Sequence, residues 1–436
     1  MAPTRRALVL AAGLVPVGAL PAFFGGALWT VWAGAGLALL LGGALDRALA
    51  LPPRRLRAAV TVPDALFIGE SDPCAVELGA PGRRRPTTVE ALLDLSPDLS
   101  PAPARTVEVR GVGRTEFRLE PRRRGTARVG ALWLRWRGPL GLVELRRRDA
   151  VDRPVSVLPN VRAVRRTALR FRSEREFRLG LKVERYLGDG SEFDALHEYA
   201  PGWDPRALDW KASARHRKLL VQEFRAERNH QVVVAIDTGH RMSEPIEGLP
   251  RLDHAVNAAL QLVWCTLKSG DRVGFYAFDA RPGAWLPPEA GVRAFGRVQR
   301  ATAALAYGTA ETNFTLGLLE LTRSLRRRAL VVLFTDFVDV AAADLMLENV
   351  GRLARRHRVL FVTLRDPELA ALAGAEPRSL LDLHRAVVAA DLEREREVVL
   401  ARLRRLGISI VDAAPAAFAP RLVQRYLEIK RRELVG

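Results

Sequence analysis

The stretch VVVAIDTGHRM, from Val232 to Met242, decides how the second half of the chain is interpreted. A run of apolar, mostly β-branched residues leads into Asp237, and a short polar loop follows at once. This pattern predicts a strand that delivers a carboxylate to the carboxyl edge of a sheet, where α/β proteins place their sites. Asp237 is therefore a candidate metal ligand, a candidate catalytic acid, or the remnant of one.

Apolar runs and amphipathic patterns alternate from residue 231 onward. Apolar strands separated by amphipathic helices predict a mostly parallel sheet that is covered on both faces. The predicted strands are 232–236, 273–278, 330–335, 359–363 and 408–411, and the predicted helices are 252–267, 293–305, 316–327, 341–356, 392–406 and 420–434.

A second strand also ends in an aspartate, because VVLFTD ends at Asp336. Between the two strands lies GTAETNFTLGLLEL, which places Thr312 and Asn313 just before a helix. Two carboxylates and a hydroxyl that converge on one sheet edge would form the oxygen-rich pocket that Mg²⁺ prefers.

The composition is that of a largely globular chain of two or three domains, with 436 residues, 48% hydrophobic and 27% charged. The formal charge of +19 comes almost entirely from scattered arginines, since lysine occurs at only five positions. This usage fits a GC-rich coding bias, and no RNA-binding aromatic signature or zinc-finger spacing accompanies it. We expect no specific nucleic-acid partner and no small-molecule substrate. Cys74 and Cys265 lie too far apart in sequence to indicate a disulfide framework.

The amino-terminal segment from Ala7 to Leu45 contains no charged residue. This apolar segment is too long for one membrane span, which needs about 20 residues. The sequence predicts two spans within residues 1–50, Ala7–Leu20 and Ala27–Leu45, joined by a turn at Pro21–Gly26. Arginines flank the pair on both sides, so the positive-inside rule places both flanks in the cytoplasm. The alternative is a signal peptide that is cleaved near the alanines.

Short alternating runs bounded by Pro and Gly predict a small β-sandwich over residues 58–160, with its last strand at Arg153–Asn160. Residues 161–230 are denser in polar and aromatic side chains. Their charges either pair with one another on a solvated surface or form an ordered network that docks against the next domain or a partner.

Two blocks of residues resemble known families. The block EYAPGWDPRALDWKASAR, from Glu198 to Arg215, resembles the signature of the bacterial domain of unknown function 58 family. The pattern at Asp237 resembles the von Willebrand factor A domain and its metal-ion-dependent adhesion site. The resemblance implies an α/β, Rossmann-type A-like domain at 231–414 and a C-terminal helix at 415–436, preceded by the β-sandwich and a transmembrane helical hairpin. The interaction signature consists of Tyr199, Trp203, Asp204, Arg206, Asp209, Trp210, Lys211, Ser213 and Arg215.

The adhesion-site pattern carries over only in part. Asp237 matches its first aspartate, Thr312 its threonine and Asp336 its later aspartate, but the two serine positions fall on Gly239 and Arg241. Glycine offers no ligand, and arginine is cationic. We therefore expect a degenerate site without a cofactor, in which Arg241 pairs with Asp237 or Asp336 and replaces the Mg²⁺ ion.

The resemblance implies an adaptor that works with a MoxR-type AAA+ ATPase in protein assembly or maturation. The chain would be anchored in the lipid bilayer of a bacterial inner or plasma membrane, with its bulk in the cytoplasm. The alternatives are a metal-dependent adhesion protein and a hydrolase that uses Asp237 or Asp336 with His240 or His254. The sequence contains no G-x-S-x-G, H-E-x-x-H or P-loop pattern, so we expect no enzymatic activity.

Overall fold

The computed structural model divides into two compact units, Met1–Asn160 and Val161–Gly436. The residues that the structure describes are 2–18, 27–82, 85–162, 164, 187–200, 208–225, 230–337 and 340–435. The predicted turn at Pro21–Gly26 lies outside them, as do Trp203, Asp204 and Arg206 of the interaction signature.

The first unit begins with two apolar helices, α1 (Arg5–Val17) and α2 (Ala27–Leu49), and the Trp32 indole donates a hydrogen bond to the Leu14 carbonyl at 2.8 Å. In the described part of the chain, one helical stretch, Trp29–Arg55, is long and apolar enough to cross a membrane, judged by length and composition. Helix α1 has 13 residues and is shorter than the predicted first span. The two-span prediction is therefore supported for its second helix only.

The rest of the first unit consists of two sheets. One follows the order β1-β9-β8-β5-β6, with β3 parallel to β9, and the other follows β2-β4-β7. Alternate residues point into the core: Leu134 and Trp136 are buried, whereas Trp133, Arg135 and Arg137 are exposed. The strands are β1 (Ala2–Pro3), β2 (Arg57–Thr61), β3 (Ala65–Phe67), β4 (Asp72–Gly79), β5 (Thr87–Leu95), β6 (Arg105–Val109), β7 (Val112–Leu119), β8 (Gly125–Arg137) and β9 (Val143–Leu158).

The second unit is built on a six-stranded sheet of order β16-β15-β12-β17-β18-β19, parallel except for the edge pair β15–β16. Its strands are β10 (Leu187–Glu198), β11 (Leu220–Arg225), β12 (Gln231–Asp237), β13 (Pro245–Ile246), β14 (Leu249–Pro250), β15 (Arg272–Phe278), β16 (Pro282–Glu289), β17 (Leu330–Phe334), β18 (Arg358–Leu364) and β19 (Ser409–Ala413). Its helices are α3 (Trp210–His216), α4 (His240–Ser243), α5 (Arg251–Lys268), α6 (Val292–Ala303), α7 (Phe314–Ser324), α8 (Val340–Ala354), α9 (Pro367–Ala373), α10 (Leu380–Arg405) and α11 (Pro415–Val435).

Helices cover both faces of this sheet. Val232, Val234 and Ile236 pack in a core with α5 and α11, whereas Val233 and Ala235 pack in a second core with α7, α8 and α10. The apolar run of β12 thus has no polar face because each of its sides is buried, as expected for a central parallel strand.

Two features of this unit differ from the sequence expectation. The antiparallel edge strand β16 was not predicted, because its sequence PGAWLPPE is rich in prolines and only an edge tolerates them. Helix α10 begins at Leu380 rather than at residue 392, since Ser379 caps it by accepting the Asp382 N–H at 3.1 Å.

Candidate functional site

The predicted site lies at the carboxyl edge of the parallel sheet. Asp237 is the last residue of β12, and Asp336 follows the neighbouring strand β17. Both residues are buried, with 1% and 5% of their surface exposed. The structure therefore brings the two predicted carboxylates to one edge, inside the protein rather than at an open cleft.

The carboxylate of Asp237 is enclosed by three hydrogen-bond donors. The hydroxyls of Thr312 and Thr335 donate to it at 2.6 Å each, and the backbone N–H of Gly239 donates at 2.8 Å. Burial raises the pKa of Asp237 to about 6, although these three hydrogen bonds oppose the rise. The predicted association of Thr312 with Asp237 thus takes the form of a direct hydrogen bond.

Gly239 makes this direct bond possible. A Cβ atom built at Gly239 would lie 2.0 Å from the Thr312 hydroxyl oxygen, closer than atoms can approach. A serine at this position therefore cannot coexist with the observed Thr312–Asp237 bond. Glycine at the position of the first serine of the adhesion-site pattern therefore lets Thr312 close the pocket.

Asp336 is held by two arginines, the buried Arg251 and the largely buried Arg396. The Arg251 guanidinium lies 2.6 Å from one carboxylate oxygen, and that of Arg396 lies 3.1 Å from the other, which also accepts the Thr363 hydroxyl at 2.9 Å. Both arginines are almost fully buried, so water does little to screen these ion pairs. We call Arg251, Asp336 and Arg396 the arginine clamp.

Arg396 extends the clamp to the edge strand β19. It donates to Asp412 at 2.9 Å, to the Leu364 carbonyl at 2.9 Å and to Thr363 at 2.8 Å. Burial lowers the pKa of Arg396, but Asp336 and Asp412 outweigh that effect and leave the pKa above its ordinary value. Arg396 therefore stays charged and ties α10 to strands β18 and β19.

The pairing that we predicted for Arg241 is wrong. Its guanidinium lies 2.6 Å and 2.7 Å from the two carboxylate oxygens of Glu244, one turn away on the same loop. Glu244 is a closer and more exposed partner than the buried aspartates, which already have donors. The positive charge at the sheet edge comes instead from Arg251 and Arg396.

The donor set does not fit a divalent cation. Both oxygens of Asp336 face guanidinium groups, and the oxygens of Asp237 face hydroxyl and amide donors. Mg²⁺ requires several free oxygen ligands in near-octahedral geometry. Among the described residues, no group of three or more His, Cys, Asp and Glu side chains is placed to hold a metal ion.

The two histidines of the hydrolase alternative lie in other environments. The partly buried His254 contacts the Ile246 carbonyl at 3.1 Å, and burial lowers its pKa. His240 lies 3.6 Å from Glu311 and 4.0 Å from Glu244. In the described part of the chain, neither histidine forms a hydrogen bond or ion pair with Asp237 or Asp336, and the arrangement does not resemble a general base beside a nucleophile.

The described part of the interaction signature separates into structural and exposed residues. Asp209 caps α3 by accepting the N–H groups of Lys211 and Ala212 at 3.0 and 2.9 Å, and the Ser213 hydroxyl accepts the Leu220 N–H at 2.8 Å. The Tyr199 N–H donates to the Leu219 carbonyl, whereas Trp210, Lys211 and Arg215 are exposed. The small polar residues therefore build the turn, and the large ones face outward.

Sequence reasoning missed both arginines of the clamp. Arg396 lies within the run EREREVV, which looks like a solvated helix face. The spacing of Arg396 along the helix could have indicated its burial, because it lies on the same helical stripe as the buried residues Ala389, Val399 and Leu403. A charge in such a stripe indicates a buried ion pair. Arg251 carries no comparable local signal.

Restoring the serine pattern is expected to weaken the fold without creating a metal site. In a Gly239→Ser, Arg241→Ser variant, the added Cβ at residue 239 displaces Thr312 and lowers the free energy of unfolding by about 1–3 kcal/mol. The arginine clamp still occupies Asp336, so calorimetry should detect no Mg²⁺ binding. Saturable binding that Asp237→Asn abolishes would contradict this account of the pocket.

The fold and site define a mixed α/β protein with a closed carboxylate network at the carboxyl edge of its sheet. Residues 195–405 match the model of the family described as Protein of unknown function DUF58. This match confirms the resemblance to the domain of unknown function 58 family over the signature block and both aspartates.

The relatives found by sequence are uncharacterized proteins of Mycobacterium bovis and Mycobacterium tuberculosis. They are 25% identical over 203 residues, which are 46% of this chain, and the chain spans 63% of their length. Among solved structures, the conserved hypothetical protein BatB of Bacteroides thetaiotaomicron has 16% identity and a TM-score of 0.33 over 46% of this chain and 99% of that one. An aerotolerance-related membrane protein of Bacteroides fragilis has 16% identity and a TM-score of 0.23 over 31% and 67%.

Proposed function

We propose that this protein is a membrane-anchored adaptor that binds a MoxR-type AAA+ ATPase and acts with it in assembly or maturation of other proteins. The identity of this partner is inferred from the family resemblance. The anchor is supported by the apolar stretch Trp29–Arg55, and the flanking arginines favour a cytoplasmic location for the bulk of the chain, at a bacterial inner or plasma membrane.

We infer further that residues 231–414 form a von Willebrand factor A-like domain with a degenerate metal-ion-dependent adhesion site. The support is the parallel sheet with an antiparallel edge pair and the placement of Asp237, Thr312 and Asp336 at its carboxyl edge. The arginine clamp takes the place of the cation, so the fold serves as a binding scaffold.

The observation that carries the adaptor proposal is the exposed apolar face of α10. Leu380 is 79% exposed, and Leu381, Leu383, Val387 and Val388 are exposed with it. The opposite side of this half of the helix carries small residues, including buried Ala389, and α9 packs against α10. A helix that turns its small residues inward and its large apolar ones outward is suited to a protein partner.

This helix is also part of the closed site. Arg396 lies two turns beyond Val388 and fixes α10 to Asp336 and Asp412. The partner would therefore meet a helix whose position is already set, which lowers the entropic cost of binding. A hydrolase that uses Asp237 or Asp336, or a metal-dependent adhesion protein, would instead need an open carboxylate, and both carboxylates here are enclosed.

Removing the apolar face is expected to abolish capture of the ATPase. Full-length protein bearing Leu380→Ser and Val387→Ser, extracted in detergent with and without ATP under cross-linking, should recover at least about ten-fold less AAA+ ATPase than the unmodified chain. The matched control is Leu345→Ser on α8, a residue that is 63% exposed outside this face. Recovery of no AAA+ ATPase by the unmodified chain, or equal loss in the control, would count against the proposal.

A further inference from the structure

The end of helix α2 is fixed to the β-rich part of the first unit by a buried carboxylate. Asp46 is fully buried and accepts three backbone N–H groups from the β8–β9 turn, those of Leu140 at 2.6 Å, Leu142 at 2.8 Å and Val143 at 2.8 Å. A Cβ at Gly138 would lie 2.2 Å from an Asp46 oxygen, so the turn requires glycine there.

Further hydrogen bonds hold the segment that follows. The Trp136 indole donates to the Leu51 carbonyl at 3.0 Å, and Arg147 donates to the carbonyls of Pro53, at 2.7 Å, and Leu56. On the other side of the turn, the Thr4 hydroxyl donates to the Gly141 carbonyl at 2.6 Å. No free linker therefore separates helix α2 from the sheets, and the β8–β9 turn is held at the end of the apolar stretch.

The length of the apolar stretch brings this turn close to the membrane surface. Residues from Ala27 to Leu45 form a helix about 28 Å long at 1.5 Å per residue, close to the roughly 30 Å hydrocarbon thickness of a bilayer. In a helix that crosses the membrane, Asp46 then lies near the hydrocarbon boundary, and the tilt of the helix decides whether the turn reaches the headgroups. Leu140, at this turn, is 48% exposed.

The exposed charge at this end of the unit is positive. Arg137 and Arg146 lie on β8 and β9 next to the turn and are each 59% exposed, whereas Glu144 between them is buried and paired with both. Arg6 lies beside the turn, 3.6 Å from the Cβ position of Gly141, and Arg5 is exposed next to it. These arginines surround the point where the helix meets the sheets.

We propose that Leu140 and the arginines Arg5, Arg6, Arg137 and Arg146 form a docking surface for anionic phospholipid headgroups, which holds the β-rich unit against the bilayer. Guanidinium groups bind phosphate oxygens in pairs, and each arginine near an anionic membrane adds about a five-fold preference for the bound state. This inference rests on the proposed membrane anchor.

The test uses the full chain in lipid nanodiscs of phosphatidylcholine, with or without phosphatidylglycerol. A polarity-sensitive fluorophore is attached through Leu140→Cys, and the native cysteines, Cys74 and Cys265, are buried. A second label at Arg128→Cys, at the far end of β8, serves as the reference. The Leu140 label should enter an apolar environment when phosphatidylglycerol is present, and the Arg128 label should stay in water in both lipids.

Charge variants identify the source of the attraction. The double variant Arg6→Gln, Arg137→Gln leaves Arg146 to pair with Glu144 and should shift docking about twenty-five-fold toward the undocked state, while Arg128→Gln should leave it unchanged. A Leu140 label that stays in water with phosphatidylglycerol, or that responds equally in both variants, overturns the docking surface alone. Failure of the chain to enter nanodiscs overturns the anchor as well. Docking that needs an added acidic protein rather than the lipid overturns the lipid assignment.

Discussion

Replacing Asp336 by alanine is expected to lower the free energy of unfolding of the second unit by about 3–5 kcal/mol. The variant leaves the guanidinium groups of Arg251 and Arg396 buried beside each other without the carboxylate that separates them. Arg396 keeps Asp412, so the larger part of the loss comes from Arg251, whose next carboxylate, Asp366, is 3.7 Å away. The effect is large because the remaining member of a buried pair stays desolvated and no longer has an opposite charge to compensate for the free-energy cost of its burial.

Thermal unfolding of the detergent-solubilised full chain, followed by tryptophan fluorescence, provides the measurement. A loss of this size shifts the midpoint of a unit this large by roughly 6–20 °C. Arg241→Ala is the matched control, since its pair with Glu244 is partly exposed and should contribute no more than about 1 kcal/mol. Equal effects of the two variants would show that the clamp does not support the fold.

The stability of the second unit is expected to fall as the pH rises from about 4 to above 6. Burial raises the pKa of Asp237 from its ordinary 3.8 to about 6, so the folded state binds the proton more tightly than the unfolded chain does. Such a group contributes stability that is fully present below its unfolded pKa and is lost as the pH passes through its folded pKa. The loss amounts to about 3 kcal/mol at 1.36 kcal/mol for each pKa unit.

Urea denaturation between pH 4 and pH 8 measures this slope, and Asp237→Asn should flatten it, because the amide cannot ionise. Asp271→Asn is the control. Burial favours a higher pKa for Asp271, but His230, Lys430 and Tyr426 outweigh it and bring the pKa below its ordinary value. The stability that Asp271 contributes is therefore lost only at lower pH. The Asp271→Asn variant should have a lower free energy of unfolding across the whole range from pH 4 to pH 8, with the same slope as the unmodified chain. A slope that survives Asp237→Asn would assign the pH dependence to another group.

The parallel part of the sheet was predictable because each of its strands is marked by a pattern of residues that are neighbours in the sequence. Each central strand is a short apolar run, and the aspartates at the ends of β12 and β17 follow from parallel pairing of those runs. The clamp was not predictable from neighbours in sequence, since Arg251, Asp336 and Arg396 come from three separate elements. The nearby Arg241 was the better local candidate and the wrong one, because proximity along the chain does not decide which charge enters a buried pocket.

The clamp also determines how this edge of the sheet responds to its surroundings. A bound cation has an occupancy that depends on its concentration, on chelators and on competing ions. The guanidinium groups of Arg251 and Arg396 belong to the chain, so their occupancy is complete in every folded molecule. An edge built in this way does not depend on the concentration of a metal ion, and its response to pH comes from Asp237.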